Sequence, residues 1–205
     1  MTVASETQII NFALRALGGR RITSLSDGSN NANAASDLYE MVRDQVLRSH
    51  NWNFAISRVE LAELAAVPDF GFDHQHALPS DWIRTVSVHD NDAGLGGLEY
   101  KEETTGTQKV LLTNSATVYL RYVSKITDTT LYPADFVVAL AIELAKRLAI
   151  AIPGSNTIKA DLDEDVRRLV LGAKSTDAMG STPERRPPGS WVSARFGWPS
   201  NRWPR

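Results

Sequence analysis

The sequence predicts an α+β protein: a mainly α-helical bundle, a small antiparallel β domain inserted into it, and an extended C-terminal arm. Apolar residues recur at helical spacing on both sides of a central stretch in which they alternate with polar residues. The segment 180–205 has neither period, yet it holds three of the five tryptophans and five of the nine prolines. The predicted boundaries are 1–51 and 130–179 for the bundle, 52–129 for the β domain and 180–205 for the arm.

The first helix has signals at both ends. Ser5 can cap it, and Gln8 stands at the position of the reciprocal capping-box partner. Gly18-Gly19 ends the pattern after Leu17. The apolar face of this predicted helix includes Phe12.

A loop and a second helix follow. Ser, Asn, Asp and Gly dominate 22–31, which favours turns. Helical spacing then predicts a helix over about 33–49, with Met41 on its apolar face and Arg43 largely elsewhere.

The central stretch predicts short strands. From Trp52 apolar and polar residues alternate, and strand signals continue to about Leu64. Turn formers such as Gly94, Gly96 and Gly97 separate the later candidates. These candidates are 82–89, 98–101, 109–112 and 117–123.

The third helix opens at Pro133 and is apolar nearly all round over 136–152. Such a helix must be buried on several sides, and three amphipathic neighbours would not comfortably cover it, so we expect a subunit interface to cover the rest. A fourth helix begins at Ser155 or Asn156, with acidic residues in its first half. The residues assigned to the subunit interface are Phe136, Leu140, Leu144 and Leu148.

The C-terminal arm reads as a docking element. Its prolines remove backbone donors and prevent it from folding on itself. Trp and Arg, which are enriched at interface hot spots, recur along it, and disordered tails are usually poor in aromatics. The alternatives are a strap across the chain's own core and a disordered tail. The candidate docking residues are Trp191, Arg195, Phe196, Trp198, Arg202 and Trp203.

Composition excludes several classes of protein. Zero cysteines exclude disulfides, thiolate nucleophiles and Cys-based zinc sites, and they suit a reducing compartment. A net charge of −2 is wrong for a chain that grips nucleic acid. No apolar stretch is long enough to span a membrane, and no leader pattern is seen, so we expect synthesis in the cytoplasm and no membrane segment.

Motifs that could carry chemistry have simpler interpretations. His74 and His76 could share a metal on one strand face, but no third ligand is evident and a surface loop is favoured. The stretch 161–165 imitates a calcium loop, yet Val166 occupies the required glycine position. No nucleophile motif is present. We therefore expect no enzyme activity, no metal and no cofactor.

Several segments together resemble the tail tubular protein A family, the head-to-tail adaptors of short-tailed bacteriophages. Their order and spacing carry the resemblance over roughly residues 5 to 178. The segments are S-E-T-Q-I-I-N-F-A-L-R-A-L-G at 5–18, H-N-W-N-F-A-I-S-R-V-E-L at 50–61, A-L-P-S-D-W-I-R-T-V-S-V at 77–88, V-Y-L-R-Y-V at 118–123 and Y-P-A-D-F-V-V-A-L-A-I-E-L-A-K-R-L-A at 132–149.

The resemblance implies a structural virion protein in the tail or neck, at the portal vertex. It implies a helical bundle with an inserted β domain, assembled as a ring, usually of twelve, under the portal protein. Such a ring continues the channel through which genomic DNA passes in transit, and it receives the next tail component, of the tubular or nozzle type. In related adaptors the C-terminal segment docks on the portal.

Two other classes remain open at this stage. A DNA-binding or packaging accessory protein would place the tail arginines on phosphates and the tryptophans on bases. A neck or tail-tube protein of another phage type would assemble without a portal. A peptidoglycan hydrolase would need a pair of carboxylates in a cleft, and nothing in the sequence marks one.

Overall fold

The computed structural model describes residues 5–94, 96–151 and 158–180. These residues form an α+β fold in which six strands lie between two pairs of helices in chain order. Among these residues no helix combines the length and the apolar character needed to cross a bilayer. The elements are α1 (Glu6–Ala16), α2 (Asn30–Arg48), β1 (Ile56–Glu60), β2 (His74–Ala77), β3 (Trp82–His89), β4 (Tyr100–Thr105), β5 (Gln108–Thr113), β6 (Tyr119–Ser124), α3 (Ala134–Ala151) and α4 (Ile158–Met179), with short 3-10 turns at Asn53–Ala55 and Thr129–Leu131.

The predicted capping box of α1 is confirmed. The backbone amide of Gln8 donates to Ser5 Oγ at 3.3 Å, and the backbone amide of Ser5 donates to Gln8 Oε1 at 3.0 Å. Gly18 follows the helix with φ 68°, a left-handed conformation that a glycine adopts without strain. Phe12 was placed on the apolar face, but its side chain is 47% exposed.

Helix α2 begins three residues earlier than predicted, at Asn30. The reason is a stronger cap upstream, where Ser29 Oγ accepts from the Ala32 amide at 3.2 Å. Arg43 was expected on the polar side, yet it is buried. Its Nε donates to Asp44 Oδ1 at 3.0 Å, so the buried charge has a neighbouring carboxylate. Met41, which was predicted on the apolar face of the helix, is exposed instead.

The strands form two antiparallel three-stranded sheets, ordered β1-β6-β3 and β2-β5-β4. Two strand predictions were wrong. Trp52 does not open a strand, because its buried ring donates from Nε1 to the Val46 carbonyl and a 3-10 turn follows. Residues 74–77 form β2 instead of a loop, and 61–64 add hydrogen bonds along its outer edge.

The two sheets and the helices form three layers with two apolar cores. The larger core lies between the helices and one face of the sheet β1-β6-β3. The side chain of Val123 is on this face. The smaller core lies between the sheets and contains Leu120, which alternates with Val123 along β6. The sheet β2-β5-β4 therefore lies on the side of β1-β6-β3 that faces away from the helices.

The assignment of a subunit interface to α3 is wrong for the named residues. All four side chains are fully buried within this single chain. Helix α3 contacts α1, α2 and α4, so three helices of the same chain cover it. The error lay in the estimate of how much of a helix three neighbours can shield. The four residues are Phe136, Leu140, Leu144 and Leu148.

Candidate docking site at the base of the C-terminal arm

The six predicted docking residues of the arm, from Trp191 to Trp203, lie outside the described residues. The structure describes the chain up to Gly180, where the arm begins. The described residues therefore include the attachment of the arm to the body of the protein. This attachment is made by the last turns of α4 and the segment that follows α2.

Asp177 holds the end of α4 to that segment. Its carboxylate accepts hydrogen bonds from the backbone amide of Asn53, at 3.1 Å to Oδ1 and 3.2 Å to Oδ2. In return, Asn53 Nδ2 donates to the Asp177 backbone carbonyl at 2.5 Å. One residue pair thus joins side chain to backbone in both directions, across 124 positions of sequence.

Lys174 makes a second link one turn earlier. Its Nζ donates to the Ser49 carbonyl at 3.3 Å. Ser49 is the C-cap of α2, where a cation interacts favourably with the helix dipole. On the same side of α4, Ala173 is buried in the larger core. The inner side of α4 is therefore held by both polar and apolar contacts.

His50 completes this group. Its Nε2 lies 3.3 Å from Asp177 Oδ2, and its ring packs edge-on against Trp52 at 5.0 Å. Burial lowers the pKa of His50, Lys174 and Arg84 act in the same direction, and Asp177 opposes them. We call the set of His50, Asn53, Lys174 and Asp177 the arm anchor.

Gly180 fits against the arm anchor because it has no side chain. Its amide donates to the Asp177 carbonyl at 3.0 Å. A Cβ at this position would lie 3.2 Å from Asn53 Nδ2 and 3.2 Å from the Asp177 carbonyl oxygen, which is tighter than ordinary contact. The arm therefore leaves the body directly beside Asn53.

We expect Asp177→Ala to loosen the end of α4 without unfolding the protein. Loss of the Asn53 hydrogen bonds should reduce the free energy of unfolding by about 1 kcal/mol. The more specific measurement is hydrogen exchange at the backbone amide of Asn53, because this amide loses its acceptor. Asp37→Ala, which alters an exposed carboxylate on α2, is the control. Unchanged protection of the Asn53 amide in Asp177→Ala would contradict the anchor.

The free energy of unfolding should decrease as pH is lowered, because the pKa of His50 is lower in the folded chain than in the unfolded chain. As pH drops below the ordinary histidine value of 6.5, the unfolded chain binds a proton at His50 before the folded chain does. Above that value both forms are neutral, and His50 contributes no pH dependence. Between about pH 7 and about pH 5, wild type should therefore lose more unfolding free energy than His50→Gln. Urea titrations of both proteins measure this, and equal losses would refute it.

The alternative metal site is not assembled in the described part of the chain. His74 Nδ1 lies 2.6 Å from Glu63 Oε1, and His76 Nε2 lies 3.0 Å from the Ser115 carbonyl. No group of three or more potential ligands occurs among the described residues. The predicted turn at Gly94 and Gly96 is confirmed, since both have positive φ.

Two exposed apolar surfaces were missed by the sequence analysis. One is the loop 65–72, which we call the tip loop; its Pro and Gly signal a loop but not an exposed apolar side chain. The other is the outward side of α4, which carries Leu171 and Met179 and which we call the outer stripe. Helical spacing could have found the outer stripe, because these residues fall opposite the inward Val170 and Ala173.

Comparison of the chain with protein-family models and with curated proteins finds no match.

Proposed function

We propose that this protein is a structural virion protein, a head-to-tail adaptor of a short-tailed bacteriophage. Its copies form a ring under the portal protein, continue the DNA channel and receive the next tail component. The helices act as the ring-forming bundle, the strands as an inserted domain, and the arm 180–205 as the element that docks on the portal. The role requires no chemical step.

The observation that carries the proposal is where the resembling segments lie. The segments at 50–61 and 132–149 meet in one aromatic cluster around Phe136. The Phe136 ring lies 5.2 Å from that of Trp52, 4.9 Å from that of Phe54 and 4.8 Å from that of Tyr132. Segments far apart in sequence thus build a single core, which supports reading them as one pattern.

The arm anchor supports the docking role of the arm. A docking segment transmits force to the body only if its base is held, and here polar bonds hold the last turn of α4. At about 3.3 Å per residue, the 25 residues after Gly180 can reach at most roughly 80 Å. The arm can therefore contact a partner well beyond its own subunit.

The charge balance supports a channel role over a DNA-gripping role. A chain with a net charge of −2 gains little from counterion release on duplex DNA, so DNA can slide past a ring of such chains. A DNA-binding accessory protein would instead bind DNA tightly, with strong salt dependence.

Co-sedimentation with the cognate portal ring tests the proposal. The full-length chain should join the portal, and a version ending at Met179 should not. The truncation leaves the arm anchor in place, so the two chains differ only in the arm, which begins at Gly180. Binding by neither chain, together with salt-sensitive DNA binding by the full-length chain, would refute the adaptor role in favour of the DNA-binding alternative.

A further inference from the structure

The strands β1 and β4 are open edges, each at one end of its sheet. All side chains of β4 are exposed, as are the last three of β1, which are Arg58, Val59 and Glu60. An open edge presents unpaired backbone N–H and C=O groups, and a strand of another chain can pair with them. With five residues in β1 and six in β4, both edges are long enough for such pairing.

The hydrogen bonds between β1 and β6 show which backbone groups of β1 face outward. The backbone amide of Leu61, the residue after β1, donates to the Val118 carbonyl at 2.9 Å, so the backbone groups of Leu61 face β6. Because the direction of the backbone groups alternates along a strand, those of Arg58 and Glu60 face away from the sheet. Among the described residues, no backbone hydrogen bond reaches them.

The outward groups of β4 follow from the hydrogen bonds of β5. The Leu78 backbone amide donates to the Lys109 carbonyl at 3.0 Å, so the backbone groups of Lys109 face β2 and those of Val110 face β4. Val110 pairs with Glu103, whose backbone groups therefore face β5. Those of Glu102, one residue earlier, face away from the sheet, and no backbone hydrogen bond reaches them within the described part of the chain.

The two open edges lie on opposite sides of the pair of sheets. After β1 the chain crosses to the outer edge of β2, where the Ala77 amide donates to the Ala62 carbonyl at 3.2 Å. Before β4 the chain leaves the outer edge of β3, where the Leu98 amide donates to the Val88 carbonyl at 3.1 Å. Strands β1 and β2 therefore share one side, and β3 and β4 share the other. One copy can present both open edges at once, in opposite directions.

The two edges carry opposite charges at their centres. Arg58 on β1 and Glu102 on β4 are exposed, and neither side chain makes a hydrogen bond or an ion pair among the described residues. Arg121 lies directly opposite Arg58 on β6, and Glu60 lies two residues further along β1. Like charges directly opposite each other on neighbouring strands are unfavourable, so a carboxylate brought beside Arg58 would be stabilising.

We propose that β4 of one copy pairs antiparallel with β1 of the next copy and joins their sheets. In the register that opposes Arg58 and Glu102, the outward backbone groups of both strands bond to each other and no like charges lie directly opposite. A shift by two residues loses this pair, because it sets either Glu60 opposite Glu102 or Arg58 opposite Tyr100. The opposed pairs are Ile56 with Thr104, Ser57 with Glu103, Arg58 with Glu102, Val59 with Lys101 and Glu60 with Tyr100.

Pairing of either edge with its own counterpart is unfavourable. Full antiparallel overlap of two β4 strands sets Glu102 opposite Glu102, and full overlap of two β1 strands sets Arg58 opposite Arg58. Charges on an edge strand thus prevent pairing between like edges and still allow a partner edge of opposite charge. The contact joins two different surfaces, and contacts of that kind close into rings when the rotation allows.

The proposal names one subunit contact of the ring and in that respect rests on the proposed function. It does not involve the arm. Portal docking and the strand contact therefore use separate parts of the chain, and their failures can be told apart.

The test uses the full-length variants Arg58→Glu and Glu102→Arg, and light scattering measures the protein concentration at which copies associate. Each single variant opposes like charges and should need a concentration about tenfold higher than wild type, or more. The double variant exchanges the two charges within one chain and should recover association. An equimolar mixture of the single variants should recover it too, because each variant then meets the opposite charge on its neighbour at both edges.

Two controls make the same charge changes away from both edges. Arg20→Glu and Glu40→Arg alter exposed residues before and within α2 and should leave association unchanged. Hydrogen exchange provides a second measurement, because strand pairing occupies outward backbone groups. The backbone amides of Arg58 and Glu102 should exchange more slowly in wild-type oligomers than in either single variant at the same concentration.

Weaker association of both single variants, with recovery in the mixture and in the double variant, would support the contact. Unchanged association of the single variants, loss without recovery, or unslowed exchange at the two amides in wild-type oligomers would overturn it and leave the adaptor role intact. A wild-type chain that stays monomeric up to its solubility limit would also overturn it. Failure of wild type to join the portal, with the pattern of loss and recovery still present, would count against the adaptor role alone.

Discussion

Replacing Trp191, Trp198 and Trp203 together by alanine is expected to abolish docking on the portal and to leave the fold intact. Each tryptophan at an interface hot spot contributes about 2 kcal/mol or more, so the three together should weaken docking by on the order of 10⁴-fold. The measurement is co-sedimentation with the portal, alongside thermal unfolding of the free chain.

A matched control changes residues of the same segment and leaves its aromatic rings in place. Ser190, Ser193 and Ser200 lie between or beside the tryptophans, and their replacement by alanine should preserve docking. If the tryptophan variant unfolds instead, the arm is a strap across the chain's own core. That outcome would refute the docking interpretation.

Phe136→Ala is expected to remove about 3–5 kcal/mol from the free energy of unfolding, which is a large share of the stability of a typical domain. Phe136 is fully buried and contacts the rings of Trp52, Phe54 and Tyr132. The loss should be the same at all protein concentrations, because the cluster lies within one chain. Urea unfolding at low and high concentration measures it.

Val138→Ala is the control, since Val138 lies on the same helix and is only partly buried. It should cost clearly less stability. If the Phe136→Ala loss appears only at concentrations where copies associate, Phe136 faces a neighbouring subunit. The earlier interface assignment would then be right and the single-chain core wrong.

Local signals predicted the elements that local chemistry determines. Helix α1 was predicted at both ends because a capping box and a glycine act within a few residues. Strand β3 was predicted at both ends although register shifts at Trp82–Arg84 and Thr85–Ser87 interrupt its alternation, because turn formers at 90–92 follow it directly. Strand β2 was missed because it contains polar residues such as His74 and Gln75, whereas the alternation pattern relies on apolar residues.

Features that depend on distant partners could not be predicted. The amphipathic pattern of α2 put Arg43 outside, but Arg43 is buried in the folded chain, in which α2 packs on α3. The arm anchor has no local signature, because Asp177 and Asn53 meet only after folding. The proposal that the arm docks on the portal rests on the composition of the arm and on the resemblance, because the predicted docking residues lie outside the described residues.

The native mass of the complex between the full-length chain and its cognate portal ring tests the adaptor role most directly. We predict that each portal subunit gains one copy of the chain, in a complex that forms without DNA. A portal ring whose mass is unchanged by the chain, or changes only when DNA is added, would contradict the adaptor role.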